Sequence, residues 1–235
     1  MTKVILVLRS ADLGERLLRP SLREQLAGVG ATAVQVNLDD ADVAPALRFG
    51  PGRPVTALVS VWTGADADSV VSTVAEFAGE SEPHAYRVTE RVRLDPAPVP
   101  NGVRSDVFAQ VALLRKPASM TREDYLRDWM VRHTPIAIRT QNTSAYVQNT
   151  VEDVLTPAAS EVPEAPGAPE TTDVSAIVEE HFPMAALTDP HAFYGSGGDE
   201  AELRRRSDEL MASVARFGGD QGLDLVPTSR YFWAL

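Results

Sequence analysis

The sequence has no cysteine in 235 residues, which excludes disulfide bonds, thiol nucleophiles and zinc–thiolate sites. Positive charge is also scarce, because 22 Lys and Arg face 33 Asp and Glu for a formal net charge of −11. That balance argues against broad attraction to nucleic acid or to an anionic membrane surface, and no basic stripe offsets it.

Long hydrophobic runs and metal-binding spacings are missing as well. The apolar run that opens the sequence is short, is followed at once by charge and has no small-residue cleavage site, so we expect a cytoplasmic protein. The chain has 4 histidines, and none pairs with another at a spacing typical of metal ligands. The sequence therefore predicts neither a metal nor a cofactor.

What is present is ordinary globular composition, with 44% hydrophobic and 23% charged residues. Apolar runs and helical periodicities follow the order βαββαβ within residues 1–94, and the same order returns within 105–235. The proline-rich stretch 95–104 separates the halves. The repeat is one of element order, since the halves share no evident sequence identity. We interpret residues 1–94 as mainly structural and place the pocket in residues 105–235.

A helix with an aromatic face lies near the start of the second half. Thr121, followed three residues later by an acidic residue, predicts a capped helix over 122–140. Tyr125, Trp129 and His133 recur every four residues and so share one inward face. The Thr-Pro pair that follows predicts an interruption of the helix, which would put His133 at a helix end, at the lip of a pocket.

The same stretch carries a resemblance to a known family. A strand ends in Leu-Leu-Arg-Lys-Pro, then Thr-Arg-Glu opens the helix, and a tyrosine, a tryptophan, a histidine and a proline follow at residues 125, 129, 133 and 135. This pattern resembles the EthD-type family of the dimeric α/β-barrel superfamily, with a weaker continuation over 173–186 and in the last strand.

The resemblance implies an α+β fold. Two tandem ferredoxin-like βαββαβ units would pair into one pseudo-dimeric α/β barrel, and a homodimer of the whole chain is possible. Members of the family include proteins linked to ether degradation and enzymes that tailor aromatic polyketides, often without a cofactor. The resemblance also implies that His133 points into the pocket, where an imidazole with an ordinary pKa near 6.5 can act as acid or base.

The run 177–182 places a carboxylate on each face of a strand that reads as buried. Alternation puts Glu179 and His181 on one face and Glu180 on the other. A buried glutamate must be paired, hydrogen-bonded or protonated. We predict a site role for Glu179 and His181, orienting His133 or sharing its proton; the alternative is an ion pair with an arginine at the barrel interface.

Further residues are candidates for binding the substrate. Tyr146 and Gln148 share one face of a strand and Asn149 lies on the other. Tyr194 lies in a glycine-rich segment, 188–199, that reads as a lid or as a plain connector. Together with Tyr125 and Trp129 on the helix, these residues complete the predicted binding set. A second proline-rich segment, 156–172, reads as an extended surface loop.

The sequence thus predicts a small-molecule enzyme without a cofactor. Its reaction would be acid/base chemistry, as in a dehydratase, another lyase or an isomerase, on an aromatic, polyketide-like or carbonyl substrate. One alternative is a cofactor-independent monooxygenase. Another is a non-catalytic protein that binds a small molecule, because a fold alone does not fix a reaction.

Overall fold

The computed structural model describes residues 1–79, 82–156 and 173–235. Within these ranges the protein is mixed α+β, with eight antiparallel strands that form one closed barrel. Helices cover both halves of the outer surface of the barrel. All but the first residue of segment 156–172, predicted to be a surface loop, lies outside the described residues.

The strands are β1 Thr2–Leu8, β2 Ala31–Leu38, β3 Ala57–Thr63, β4 His84–Leu94, β5 Phe108–Leu114, β6 Ala145–Val154, β7 Ala176–Phe182 and β8 Asp224–Ala234. The α-helices are α1 Leu13–Leu17, α2 Pro20–Gly28, α3 Ala67–Ala75, α4 Arg122–Arg127, α5 Thr134–Thr140, α6 Pro190–Tyr194 and α7 Glu200–Arg216. A π-helical segment, Asp128–His133, joins α4 to α5.

The two halves of the chain contribute equal and contiguous parts of the barrel. The first four strands lie side by side in the order β4-β1-β3-β2, and the last four lie in the order β6-β7-β5-β8. The halves meet where β2 pairs with β8 and where β4 pairs with β6. The sheet therefore closes within one chain, as the repeated element order predicts.

Alternation along each strand divides the side chains between the barrel interior and the helix-covered outer face. One end of the interior is apolar and includes Ile5, Leu58 and Val111. On the outer face of the first half, α2 and α3 bury leucines and valines, among them Leu22 and Leu26, which are fully buried. Each such side chain stabilises the fold by roughly 1.5–3 kcal/mol.

The helix over 122–140 is continuous, so the predicted interruption at the Thr-Pro pair is wrong. Thr121 caps the helix by accepting a hydrogen bond from the Asp124 amide. The backbone stays helical through His133 and Thr134, and α5 begins directly with Pro135 in its first turn. Proline is accommodated because the turn directly before it is π-helical: the Thr134 amide donates five residues back, to the Trp129 carbonyl, and the wider turn gives the proline ring room. His133 is consequently an interior residue, 7% exposed, and not a helix end.

The end of the connector 95–104 is hydrogen-bonded to β8. The Gly102 amide donates to the Phe232 carbonyl at 2.9 Å, and the Ser105 amide just beyond donates to the Arg230 carbonyl at 2.9 Å. Gly102 has a φ of 75°, and a Cβ built there would lie 2.6 Å from Nε1 of Trp233. Both the backbone conformation and the close approach therefore require glycine at this position.

We expect Gly102→Ala to lower the melting temperature more than Gly52→Ala. Gly52 has a similar φ of 81° with nothing within 4 Å of its Cβ position. Gly52→Ala is therefore a control that introduces backbone strain without a steric clash. The control should cost about 1–2 kcal/mol, or roughly 2–8 °C for a domain of this size. Gly102→Ala should cost several degrees more, because Trp233 must move. Equal melting temperatures would contradict a tight contact between the connector and β8.

Candidate active site

A cavity of about 280 Å³ lies between the outer face of the second-half sheet and the helices that cover it. Its sheet wall includes Ala112, Val178 and Leu225, and its helix wall includes Leu210 and Phe217. These walls are apolar. The polar side chains in the lining are few, and they comprise Gln110, His133, Gln141, Tyr146, Glu180, Tyr194 and Asp220.

His133 reaches the cavity from the π-helical segment. A π turn contains about one residue more than an α turn, so His133, four residues after Trp129, stays on the same face of the helix. Nδ1 of His133 lies 3.1 Å from Oγ of buried Ser213 on α7. The ring also packs on Phe217, with 4.8 Å between ring centroids. These two contacts fix the orientation of the imidazole.

The imidazole of His133 is neutral at neutral pH. Burial lowers its pKa to about 4, and the nearby positive charge of Arg216 acts in the same direction. A neutral imidazole offers one nitrogen as a donor and the other as an acceptor. If Nδ1–H donates to Ser213, Nε2 keeps a free lone pair and can accept a proton from a substrate.

Glu180 faces the same cavity from β7 and is protonated at neutral pH. It is buried among apolar side chains, and burial raises the pKa of its carboxyl to about 8. With its amide nitrogen turned toward these oxygens, Gln141 donates to Glu180 Oε1 at 2.9 Å and to the Ala137 carbonyl at 3.2 Å. The cavity thus holds a carboxylic acid that can donate a proton and an imidazole that can accept one.

Tyr146 lies directly opposite Glu180 in the pairing of β6 with β7. It is 1% exposed, and burial raises the pKa of its phenol well above the ordinary value, with a further contribution from Glu180. The nearby side chains of Thr134 and Trp129 act in the opposite direction. The phenol is therefore a neutral part of the wall that does not ionise in the physiological range.

The predicted binding residues divide among three places. Tyr146 and Tyr194 line the cavity. Tyr125 and Trp129 are fully buried beside it, with parallel rings 6.4 Å apart, and they do not line it. Gln148 donates to the Thr134 hydroxyl at 2.8 Å in the packed layer under the helix. Asn149 faces the barrel interior and donates to the Ile177 carbonyl at 3.2 Å.

Glu179 and His181 do not join His133, which corrects the predicted catalytic group. Both side chains point into the barrel interior, on the opposite side of the sheet from the cavity. Oε1 of Glu179 lies 2.6 Å from Nε2 of His181 and 3.3 Å from Nε of Arg230. Gln35 donates to the other carboxylate oxygen at 2.6 Å. Glu179 thus forms an ion pair with an arginine, which was the alternative that the sequence analysis left open.

The interior environment keeps Glu179 ionised although it is buried. Burial alone would raise its pKa, but His181, Arg230 and Lys3 outweigh burial and lower the pKa to about 2. Lys3 in turn lies 2.6 Å from Glu90 and 4.5 Å from the ring centre of Trp62. The interior therefore contains compensated charges, whereas His133 and Glu180 in the cavity are both uncharged at neutral pH.

The cavity residues that the sequence analysis missed include Glu180, Gln141 and Phe49. Glu180 had a usable signal, because alternation puts it on the face opposite Glu179. Gln141 follows α5 and reaches the cavity only through the packing of that helix on the sheet. Phe49 comes from the first half, which was predicted to be structural, and nothing in its local sequence indicates a site.

The segment 188–199, read as a lid or a connector, contains α6 and a glycine-rich turn. It is joined to the end of the helix over 122–140, because the Asn142 amide donates to the Phe193 carbonyl at 2.8 Å. Tyr194 at its centre lines the cavity. None of the helices in the described ranges is long and apolar enough to span a membrane. In the same ranges no cluster of three or more His, Asp or Glu side chains is placed to bind a metal ion.

Comparison with solved structures identifies the class of fold. The chain is similar to an anthrone oxidase-like protein with a TM-score of 0.54 and 8% sequence identity, over 99% of this chain and 93% of that chain. The protein thus shares an α/β-barrel fold with that protein. An identity this low shows the fold alone.

Two proteins provisionally assigned as monooxygenases also align. The one from Lactobacillus acidophilus has a TM-score of 0.45 at 11% identity, over 97% of this chain and 93% of its own. The one from Fusobacterium nucleatum has a TM-score of 0.47 at 10% identity, over 98% of this chain and 91% of its own. No protein-family profile and no curated protein sequence matches the chain. Membership of the EthD family stays a prediction.

The contributions of Glu179 and Glu180 to the free energy of unfolding should change with pH in opposite directions. Between the ordinary carboxyl pKa of 4.5 and about 8, folded Glu180 keeps a proton that the unfolded chain has lost. Its contribution to stability is therefore lost as pH rises through that window. Glu180→Gln should gain stability over the parent protein from pH 4.5 to 8, measured by denaturant unfolding at each pH.

Glu179→Gln is the control on the opposite face of β7. Folded Glu179 is already ionised where the unfolded carboxyl is protonated, because its pKa is about 2. Its stabilisation is present above pH 4.5 and is lost as pH falls toward 2. Glu179→Gln should therefore be less stable than the parent at neutral pH, with a difference that shrinks below pH 4.5. Parallel pH profiles for the two variants would contradict these environments.

Proposed function

We propose that this protein is an enzyme of small-molecule metabolism that performs acid/base chemistry on an aromatic, carbonyl-bearing substrate. The observation that carries the proposal is the pairing of groups in one apolar cavity. His133 is neutral and can accept a proton, and Glu180 is protonated and can donate one. Titratable groups pushed to opposite sides of neutral pH are typical of acid/base sites.

In this mechanism Nε2 of His133 removes a proton from the carbon next to the substrate carbonyl. Glu180 donates a hydrogen bond, and then its proton, to the carbonyl oxygen, so that a neutral enol forms beside a His133 imidazolium and a Glu180 carboxylate whose charges balance. Ser213 accepts from Nδ1–H throughout, which holds the ring and stabilises the imidazolium. Return of the proton to another carbon gives an isomer, and loss of a neighbouring hydroxyl as water gives a dehydrated product.

The lining favours a neutral aromatic substrate. The apolar walls match the faces of fused rings, and the lining tyrosines Tyr146 and Tyr194 can contact ring edges and faces. An anionic substrate would lose its hydration without gaining a cation, because none of the described lining residues is basic apart from the neutral His133.

The domain assignment belongs to the same proposal. The repeated strand order supports two tandem ferredoxin-like units, residues 1–94 and 105–235, that form a pseudo-dimeric barrel. In this interpretation one chain supplies what two subunits of an EthD-type protein supply. A homodimer of the whole chain would add no strand to the closed barrel.

A cofactor-independent monooxygenase is the second candidate. The same proton removal would give an electron-rich enolate, which can reduce oxygen directly. Oxidation of a CH₂ group to a carbonyl would place one oxygen atom in the product and release the other as water. The fold similarity to an anthrone oxidase-like protein favours this candidate. A protein that binds the same class of compound without converting it is the third.

We expect the parent protein to accelerate exchange of the α-hydrogens of 2-tetralone in D₂O, measured by proton NMR. His133→Ala, His133→Gln and Glu180→Gln should each reduce the accelerated rate by about 10² to 10⁴, the usual contribution of one acid/base group. Gln keeps hydrogen bonding at both positions and removes only the titrating proton.

Tyr125→Phe is the matched control for this assay. It removes a buried hydroxyl that has no hydrogen-bond partner and does not line the cavity, so exchange should be unchanged. If the His133 and Glu180 variants kept rates within about threefold of the parent, far inside the expected range, neither group would be the acid/base. Binding of 2-tetralone without exchange would support the third candidate.

Oxygen uptake should separate the two enzymatic candidates. With anthrone as substrate, an enzyme limited to acid/base chemistry exchanges the hydrogens of the CH₂ opposite the carbonyl, leaves oxygen uptake at the background rate and works equally well under nitrogen. A monooxygenase consumes one oxygen molecule for each molecule of product and stops under nitrogen. An oxygen electrode, read beside product formation by chromatography, makes the distinction, and anthrone without protein supplies the background rate.

A further inference from the structure

The mouth of the cavity carries an exposed aromatic side chain from the first half of the chain. Phe49 lies in the segment between the 3₁₀ turn Ala41–Val43 and β3, and it lines the cavity although 54% of its surface is exposed. Met211 on α7 is 50% exposed and lines the same cavity. The first half thus contributes directly to a pocket whose acid/base groups all come from the second half.

The backbone of Phe49 is hydrogen-bonded to the start of β8. The Phe49 amide donates to the Leu225 carbonyl at 3.3 Å, and the Leu225 amide donates back to the Phe49 carbonyl at 2.7 Å. A Cβ at Gly50 would lie 2.3 Å from Oδ1 of Asp224, and Asp224 is itself held by Arg115 at 2.8 Å. A glycine thus lets this loop approach the strand closely. The two hydrogen bonds fix the backbone from which the phenyl ring projects.

Folding alone does not explain this placement. A backbone held in this way could still turn the ring inward, and burying a phenylalanine side chain stabilises a fold. Instead, the ring stands at an opening beside a second exposed apolar side chain. Exposed apolar surface continuous with a cavity is typical of a surface that a ligand covers.

The size of the cavity indicates which part of a ligand would reach Phe49. At about 280 Å³ it falls just below the usual range of about 300–1,000 Å³ for small-molecule pockets. A ligand with two fused rings fits largely inside. A longer ligand, with its carbonyl at Glu180, must extend through the mouth.

We propose that Phe49 is a specificity-determining residue that selects elongated polycyclic substrates. The carbonyl end of the substrate lies inside at Glu180 and His133, and the far apolar ring lies against Phe49 and Met211. This inference rests on the proposed function and adds to it the length of the substrate and a role for the first half of the chain.

Equilibrium binding under nitrogen tests the inference without requiring turnover. Isothermal titration calorimetry would compare 2-tetralone, with two rings, and 3,4-dihydroanthracen-2(1H)-one, the linear three-ring homologue with its carbonyl in the same terminal position. Phe49→Ala should weaken the binding of the three-ring ketone by about tenfold and that of 2-tetralone by less than twofold, since a ring–ring contact contributes up to about 1.5 kcal/mol beyond its buried area. Met211→Ala should show the same selectivity with a smaller effect.

Leu47→Ala is the matched control, because Leu47 lies in the same segment, is 80% exposed and does not line the cavity. It should leave both affinities unchanged, and thermal melting would show that all three variants are folded. Equal weakening of both probes by Phe49→Ala, or no weakening of either, would overturn this inference and leave the proposed function intact. A parent protein that binds neither probe would overturn both the inference and the substrate class.

Discussion

The alternation of side chains across a closed sheet is the constraint on which both the core and the site depend. Once the eight strands close into a barrel, each strand residue faces either the interior or the helix layer. Glu179 and Glu180 are neighbours in sequence, yet they lie in environments that shift the pKa of the carboxyl in opposite directions. The β7 backbone between them separates the charged barrel interior from the apolar cavity.

The two environments differ in how burial is compensated. Inside the barrel, Glu179 has His181, Arg230 and Gln35 as partners, so an ionised carboxylate is favoured despite its burial. Under the helices, Glu180 has Gln141 and apolar neighbours, so the neutral acid is favoured. The same physical cost, loss of hydration, is offset by charged partners on one side of the sheet, whereas on the other side it keeps Glu180 protonated as a proton donor.

The helix layer completes the site. The π-helical segment carries His133 to the cavity, and Ser213 on α7 holds its imidazole there. Phe49 then reaches the mouth from the other half through two backbone hydrogen bonds. The cavity is therefore assembled from both halves of the chain, although the acid/base pair comes from one of them.

Much of the fold could be predicted from the sequence because its signals are local. Apolar periodicity gave the βαββαβ order in both halves, the cap at Thr121 located the start of the helix, and the spacing of Tyr125 and Trp129 identified its buried face. The same local reasoning placed a carboxylate on each face of β7. It also anticipated an arginine partner for Glu179 as one of two alternatives.

Tertiary structure alone decided which of those carboxylates lines the same cavity as His133. The two faces of β7 are distinguished only by how β5 to β8 pair and by which side the helices cover, and those contacts join residues far apart in sequence. Gln141 and Phe49 reach the cavity through packing of the same kind. The helix continued past Pro135 because a wide turn can absorb the proline, an outcome that local propensity did not indicate. The sequence by itself therefore determined the elements and the residue types at the site, and barrel closure determined which of them act together.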